Sequence, residues 1–273
     1  MNEIVLVQDL APKIKLFKVT SPDIAAKAQP GQFIILMTHE KGERIPITIA
    51  DYDTREGTIT LVFNEVGKTT KQLGCFKQGN VLPNIAGPLG NPSEIDRFGH
   101  VLCIAAGVMI APMYLQVKML RQAGNRITSV VGARKEDLII FEEKMKDASD
   151  EFYVATDDGS KGFHGLGFLT DLLREKRFHR AIAMGPVITL KTVSDMTRPF
   201  KIPTIVTLTS IMIDGMGMCG ACRVTVKGRT RFACIDGPEF DGHQVNFDEL
   251  VKRKNVFASE ERLSSMLWGN CNH

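Results

Sequence analysis

The chain has 273 residues, of which 44% are hydrophobic and 24% charged, proportions that exclude a disordered or fibrous protein. Lys plus Arg total 34 and Asp plus Glu 31, and the net charge of +3 is spread along the chain. No extended basic face remains, so nucleic acid is excluded as a partner. At ~100 to 200 residues per domain, the length suits two or three domains.

Six cysteines are too few for a disulfide scaffold, and the N-terminal run Met1-Asn2-Glu3-Ile4-Val5 lacks the basic-then-apolar pattern of a secretory signal. A cytoplasmic protein is expected. The longest apolar stretch, Val101 to Met113, is interrupted by Gly107 and Pro112 and falls short of the ~20 residues that span a bilayer. No membrane segment is expected.

In chain order, Ile14 to Thr20, Gln32 to Met37 and Thr58 to Phe63 are β-rich runs separated by Pro, Gly and Asp, which predicts a small antiparallel β-barrel over residues 1–97. From residue 98 to 209 apolar strands at Val101 to Ala106, Ile127 to Val131, Phe152 to Ala155, Arg180 to Met184 and Thr204 to Leu208 alternate with helical segments, Pro112 to Gln122 and Glu136 to Lys146 among them. That alternation predicts a Rossmann-like parallel α/β domain. Residues 210–273 hold a Gly- and Cys-rich stretch and a charged tail with an amphipathic segment from Ser259 to Leu267, and are expected to form a small third unit.

In that third unit the run from Asp214 reads Asp-x4-Cys219-x2-Cys222-x11-Cys234. Plant-type [2Fe–2S] sites use Cys-x4-Cys-x2-Cys and a later fourth Cys, and the spacing here matches with Asp in the first place. Glycines 215, 217 and 220 suit a backbone wrapped closely round a cluster. A Zn site and unrelated buried thiols are the alternatives. Zn sites usually offer paired Cys-x2-Cys knuckles, whereas one is present here. Cys271 and His243 are the reserve fourth ligands; Cys75, Cys103 and Cys271 otherwise read as packing or surface thiols.

Pro30-Gly31-Gln32-Phe33, then Arg44 to Thr48, then Gly67 to Thr70 precede the alternating domain and the cysteine run, and in this order they resemble the ferredoxin-NADP reductase superfamily. The resemblance is to the branch with a C-terminal [2Fe–2S] domain. That branch includes the electron-transfer subunit of dihydroorotate dehydrogenase and the small subunit of NADH-dependent reduced ferredoxin:NADP oxidoreductase, also called the sulfide dehydrogenase β subunit. The resemblance implies FAD along Arg44, Pro46, Ile47 and Thr48, with the Thr48 hydroxyl near the reactive nitrogen of the flavin. Ile45 stands where the family has Arg, and side chains alternate along a strand, so Arg44 reaches the pyrophosphate only if the backbone bulges. Val62, Phe63 and Asn64 match the second flavin strand, and Gly67, Thr69 and Thr70 the phosphate turn.

For NAD(H) the resemblance implies Gly107 and Pro112 at the first strand-to-helix turn, then Gly132, Ala133 and Arg134, then Asp157 and Asp158, then Gly185 and Pro186. These follow successive strands, where open α/β sheets bind ligands. Met184 replaces a family Cys and reads as a soft, apolar contact. The implied activity is a flavin- and iron-sulfur-dependent oxidoreductase subunit acting on NAD(P)H. It would move electrons between NAD(H), FAD and the cluster for a larger subunit with [4Fe–4S] clusters and a second flavin, in an electron-bifurcating complex that reaches ferredoxin. A dihydroorotate dehydrogenase subunit is the alternative, since Asp214 in the first ligand position favours the former. A flavin-free, Zn-binding regulatory protein is the alternative of another class.

Overall fold

The computed structural model describes residues 2–268, so Cys271 lies outside the described residues. The first part contains β1 (Ile4–Ala11), β2 (Ile14–Thr20), α1 (Pro22–Ala25), β3 (Phe33–Met37), β4 (Ile45–Asp53), β5 (Thr58–Asn64), α2 (Lys68–Gly74) and β6 (Asn84–Leu89). Its six strands make one antiparallel sheet in the order β1-β2-β5-β4-β3-β6. A single bridge pairs Glu3 with Val81, so the segment ahead of β1 meets the segment ahead of β6 there. The expected barrel is thus seen as a six-stranded sheet with one bridge between its two ends.

Strands β2 and β5 are buried on both faces. Phe17, Val19, Leu61 and Phe63 share the sheet's own core, where the rings of Phe17 and Phe63 meet edge-on at 5.0 Å. Leu16 and Val62 belong instead to a core shared with Ile110, Met113 and Val117 of the following part. Each fully buried side chain of this size contributes roughly 1.5–3 kcal/mol. Hydrophobic packing therefore fixes the first sheet against its neighbour.

The second part contains β7 (His100–Ala106), α3 (Ile110–Gln122), β8 (Arg126–Ala133), α4 (Glu142–Asp147), β9 (Glu151–Thr156), β10 (Phe163–His164), α5 (Leu169–Glu175), β11 (Arg180–Met184), α6 (Val187–Thr197) and β12 (Thr204–Thr207). The predicted helix from Glu136 to Lys146 is split into a 3-10 turn at Glu136–Leu138 and α4. Between them Ile139 is extended, Ile140 is buried and Phe141 is left-handed at φ 55°, so core burial of an apolar run breaks the helix.

The last part holds β13 (Arg223–Val226), β14 (Arg229–Phe232), α7 (Ala233–Asp236), β15 (Glu239–Asp241), α8 (Phe247–Lys254) and α9 (Ala258–Leu267). The second sheet runs β10-β9-β8-β7-β11-β12-β15 and is parallel except for β15, which pairs antiparallel with β12. The all-parallel expectation is corrected at that edge by a strand from the C-terminal part. One core joins Phe33 and Ile35 of β3, Leu102 and Ile104 of β7, and Cys222, Val224 and Cys234. Among the described residues no helix is long and apolar enough to cross a membrane.

Candidate functional site

In the second sheet β8, β9 and β10 lie on one side of β7 while β11 and β12 lie on the other, so the strand order reverses beside β7. At such a switch point the C-terminal strand ends open a ligand crevice. Gly107 follows β7 at φ 61°, and a Cβ there would meet nothing within 4 Å, so the turn is open. Gly185 follows β11, and its Cβ would stand 3.1 Å from the Ala106 Cβ. Only glycine lets the two strand ends approach so closely. Pro112 is buried in the first turn of α3, and Pro186 is exposed at the start of α6.

Gly132 and Ala133 end β8, with Arg134 exposed beyond them. The Asp157 amide donates to the Ala133 carbonyl at 3.0 Å and the Asp158 amide to the Arg134 carbonyl at 3.2 Å, which ties the two loops together. The Asp158 carboxylate accepts from the Ser160 hydroxyl at 2.6 Å and amide at 3.0 Å, and these bonds hold its pKa below the usual carboxylate value. Met184, expected as a soft contact, is wholly buried in the core shared with α3 and presents no surface to a ligand. The strand pairing that aligns it with Ala105 turns it inward.

On the first sheet Thr48 is half-buried opposite Phe33, Ile47 is buried opposite Ile34, and Pro46 is exposed opposite Ile35. Arg44 precedes β4 and is exposed. The irregularity in β4 falls between Ile49 and Asp51, beyond Thr48, so no bulge re-aims Arg44. Val62 and Phe63 point into two different cores and offer a ligand chiefly backbone, while half-buried Asn64 closes β5. The Gly67 amide at the start of α2 donates to the Thr70 hydroxyl at 3.0 Å, and the Thr69 hydroxyl donates to the Glu43 carboxylate. The Thr69 hydroxyl, a donor of the kind that binds phosphate oxygens, therefore already faces an oxyanion. Glu43 must yield before a phosphate takes that position.

The loop from Ser210 to Ala221 has no regular structure and passes through left-handed backbone at Gly215 (φ 71°), Gly217 (φ 80°) and Gly220 (φ 66°). A Cβ on Gly215 would lie 2.7 Å from Leu89 Cδ1 and 2.9 Å from Ile35 Cγ1, so the loop rests directly on the first sheet. Cys222 and Cys234 are buried with their sulfurs 3.1 Å apart, while Cys219 is exposed. Burial, and then the Cys222 sulfur, pushes the Cys234 thiol up to about 12. A soft metal is the partner that such a buried pair of sulfurs fits. Asp214 accepts from the Met216 amide at 2.9 Å and the Cys219 amide at 2.6 Å, bonds that hold its carboxyl below the usual range.

Among the described residues no three His, Cys, Asp or Glu groups converge closely enough round one point to hold a single ion. The donors instead divide into a buried pair, Cys222 and Cys234, and an outer pair, Asp214 and Cys219, a division that suits two metal centres. His243 is 3.0 Å from the Thr197 hydroxyl through Nε2. Cys103 is a buried thiol pushed up to about 12, as packing implies, whereas Cys75, expected as a thiol, is disulfide-bonded.

Sequence reasoning missed a second group of polar residues. Glu239 on β15, Ser93 on the connection after β6 and Gln116 on α3 meet inside the molecule, with Ser93 donating to Glu239 Oε1 at 2.7 Å. No motif marks them, because they come from three distant stretches. Burial holds the Glu239 pKa above the usual carboxylate value.

The model for the iron-sulfur cluster binding domain of dihydroorotate dehydrogenase B matches residues 209–246, which include Asp214 and the three cysteines. A Thermotoga maritima protein described as a dihydroorotate dehydrogenase B (NAD(+)) electron transfer subunit homolog is 46% identical, over 97% of this chain and 94% of its own. The electron transfer subunit of that enzyme from Desulforamulus reducens is 32% identical over 89% of this chain and 96% of its own. A chain from the solved NADH-dependent reduced ferredoxin-NADP oxidoreductase, studied for flavin-based electron bifurcation, superposes with a TM-score of 0.92 at 45% identity, covering 97% of this chain and 96% of that one. The protein therefore belongs to the family of dihydroorotate dehydrogenase B-type electron-transfer subunits within the ferredoxin-NADP reductase superfamily.

Proposed function

We propose that this chain is the electron-transfer subunit of a heterodimeric, electron-bifurcating ferredoxin:NADP+ oxidoreductase, moving electrons between NAD(H), FAD and a [2Fe–2S] cluster. The observation that carries the proposal is the end-to-end likeness to a chain of NADH-dependent reduced ferredoxin-NADP oxidoreductase, at a TM-score of 0.92. When bound, the flavin exchanges a hydride with the nicotinamide and single electrons with the cluster.

In this proposal residues 1–97 hold the flavin, 98–209 the nucleotide and 210–273 the cluster. Thr48 offers its hydroxyl to the flavin ring, and Gly67, Thr69 and Thr70 receive its phosphates as Glu43 withdraws. Arg44, exposed at the mouth of β4, supplies long-range attraction rather than a fixed contact. Gly107, Gly132 and Gly185 keep the crevice open for the dinucleotide, and Arg134 with Asp157 and Asp158 borders its far side. Asp214, Cys219, Cys222 and Cys234 ligate the cluster.

Exposed Ile213, Met216, Met218 and Ile235 surround the outer ligands. An apolar surface beside the outermost thiolate suits docking of a larger subunit, because closing it excludes water along the electron path. That subunit, with [4Fe–4S] clusters and a second flavin, would connect the chain to NADPH and ferredoxin in the cytoplasm.

The match of residues 209–246 to the dihydroorotate dehydrogenase B cluster domain favours a second reading, in which the partner oxidises dihydroorotate. The test is purification of the native complex with its spectrum, metal content and both activities. One FAD with two irons and two acid-labile sulfides per chain is expected, together with NADPH-dependent ferredoxin turnover. Dihydroorotate oxidation would select the second reading, and a colourless chain with stoichiometric Zn would overturn both.

A further inference from the structure

The two ends of the cysteine loop meet beside the last turn of α8. From that turn Arg253 donates through Nη2 to the Ala221 carbonyl at 3.2 Å, and Lys254 donates through Nζ to the Thr209 hydroxyl at 3.3 Å. Arg223, the residue after Cys222, donates through Nη1 to the Gly220 carbonyl at 3.3 Å. All three cations therefore rest on neutral oxygens of the loop ends. Among the described residues none of them has a carboxylate within ion-pair distance. The negative end of α8 explains part of this charge, since basic residues in a last turn offset about half an elementary charge. Exposed Lys252, in the same turn, already supplies that much.

Between the loop ends lies a cavity of about 10 Å³ lined by Ser210, Arg223, Arg253 and Lys254, with Ala221 and Leu250 as walls. A space of this size takes one water or one monatomic ion and is too small for phosphate or sulfate. Ser210 is 8% exposed, and its buried hydroxyl has no hydrogen-bond partner. A stranded hydroxyl is destabilising, so a partner for it is worth having. A water in the cavity would have to turn a proton of its own towards a group of cations. An anion meets donors alone, and the field of three cations without counter-charge favours it.

We propose that the base of the cysteine loop is a binding site for a monatomic anion of the size of chloride, held by the Ser210 hydroxyl, Lys254 and Arg253, with Arg223 at its edge. The bound ion ties residues 209–210 to 220–223 and so braces the loop that carries Asp214 and Cys219. It also sets one negative charge beside Cys222. Cluster potentials respond to nearby charge, and an added anion lowers them. That second effect rests on the function proposed above, whereas the site itself does not.

The experiment titrates chloride against gluconate at constant ionic strength in the full-length chain, following the melting temperature and the chloride NMR linewidth. An ion that binds the folded chain alone raises the melting temperature along a curve set by its dissociation constant. Wild type and Lys252→Gln should show this rise together with excess line broadening. Ser210→Ala and Lys254→Gln should bind several-fold more weakly by both measures. Ser210→Ala removes only the stranded hydroxyl, so its lost response is not a lost fold. Absence of excess broadening in wild type would mean a cavity for water and overturns the site. So do chloride responses in Ser210→Ala and Lys254→Gln that equal the wild-type response.

In the iron-loaded chain, saturating chloride should lower the cluster potential of wild type and leave that of Lys254→Gln nearly unchanged. An unmoved wild-type potential with normal chloride binding overturns the link to the cluster. Normal chloride binding in a chain that takes up no iron overturns only the function proposed above.

Discussion

Gly215→Ala tests whether the cysteine loop is held by the first sheet. Two costs apply. A left-handed φ of 71° disfavours any side chain by ~1–2 kcal/mol, and the new methyl meets Leu89 Cδ1 at 2.7 Å and Ile35 Cγ1 at 2.9 Å. Overpacking of this kind costs typically ~1–3 kcal/mol. The half-buried Leu89 can swing its methyl aside, but buried, β-branched Ile35 cannot, which puts the overpacking near the lower half, at ~1–2 kcal/mol. Gly228→Ala is the control, since Gly228 has φ 69° and a Cβ there meets nothing within 4 Å. Backbone strain and unfolded-state entropy are then common to both variants and cancel in the comparison. At roughly 2–4 °C per kcal/mol for a chain of this size, Gly215→Ala should melt about 2–8 °C below Gly228→Ala in side-by-side scans under reducing conditions. It should also take up less iron on reconstitution. Coincident melting curves with equal iron content would refute the seating of the loop on β3 and β6.

Thr48→Ala should slow flavin reduction by NADH several-fold, the effect of ~1 kcal/mol for one hydrogen bond, without changing iron content. Stopped-flow traces identical to wild type would make Thr48 an ordinary strand residue. Asp214→Cys should keep the cluster and move its EPR signal and potential towards those of all-thiolate clusters, because carboxylate oxygen is a harder donor than sulfur. Asp214→Ala should lose iron on dialysis, both as a missing ligand and because the Met216 and Cys219 amides lose their acceptor. Asp214→Asn separates these roles: it keeps an acceptor for the amides, so iron retention equal to wild type would show that bracing the loop, not ligation, is what Asp214 supplies.

Local patterns in the sequence became local structure. Ile14–Thr20 and Arg180–Met184 are strands with the predicted bounds, since β-rich runs bounded by breakers suffice to define them. The cysteine run is equally legible, as its members lie within one loop and the hairpin that follows. Elements made by tertiary pairing left no such trace. Strand β15 is three residues, Glu-Phe-Asp, with no β signature of its own, and exists because β12 offers an open edge. The Glu239 contacts span 146 residues to Ser93 and 123 to Gln116, beyond any motif. The inward facing of Met184 leaves no trace either, because a strand's two faces cannot be told apart in a run that is apolar throughout, Ala-Ile-Ala-Met.

The antiparallel edge strand has a consequence for how the chain can be taken apart. Cutting after residue 209 would strip β12 of its outer neighbour and lay bare Val206 and Leu208, both now at most 1% exposed. An unpaired apolar edge of that kind recruits other strands. The C-terminal segment is therefore no detachable cartridge. A nucleotide-binding fragment ending there should aggregate, and exchange of cluster domains between relatives should succeed only when the three residues of β15 travel with a matching β12.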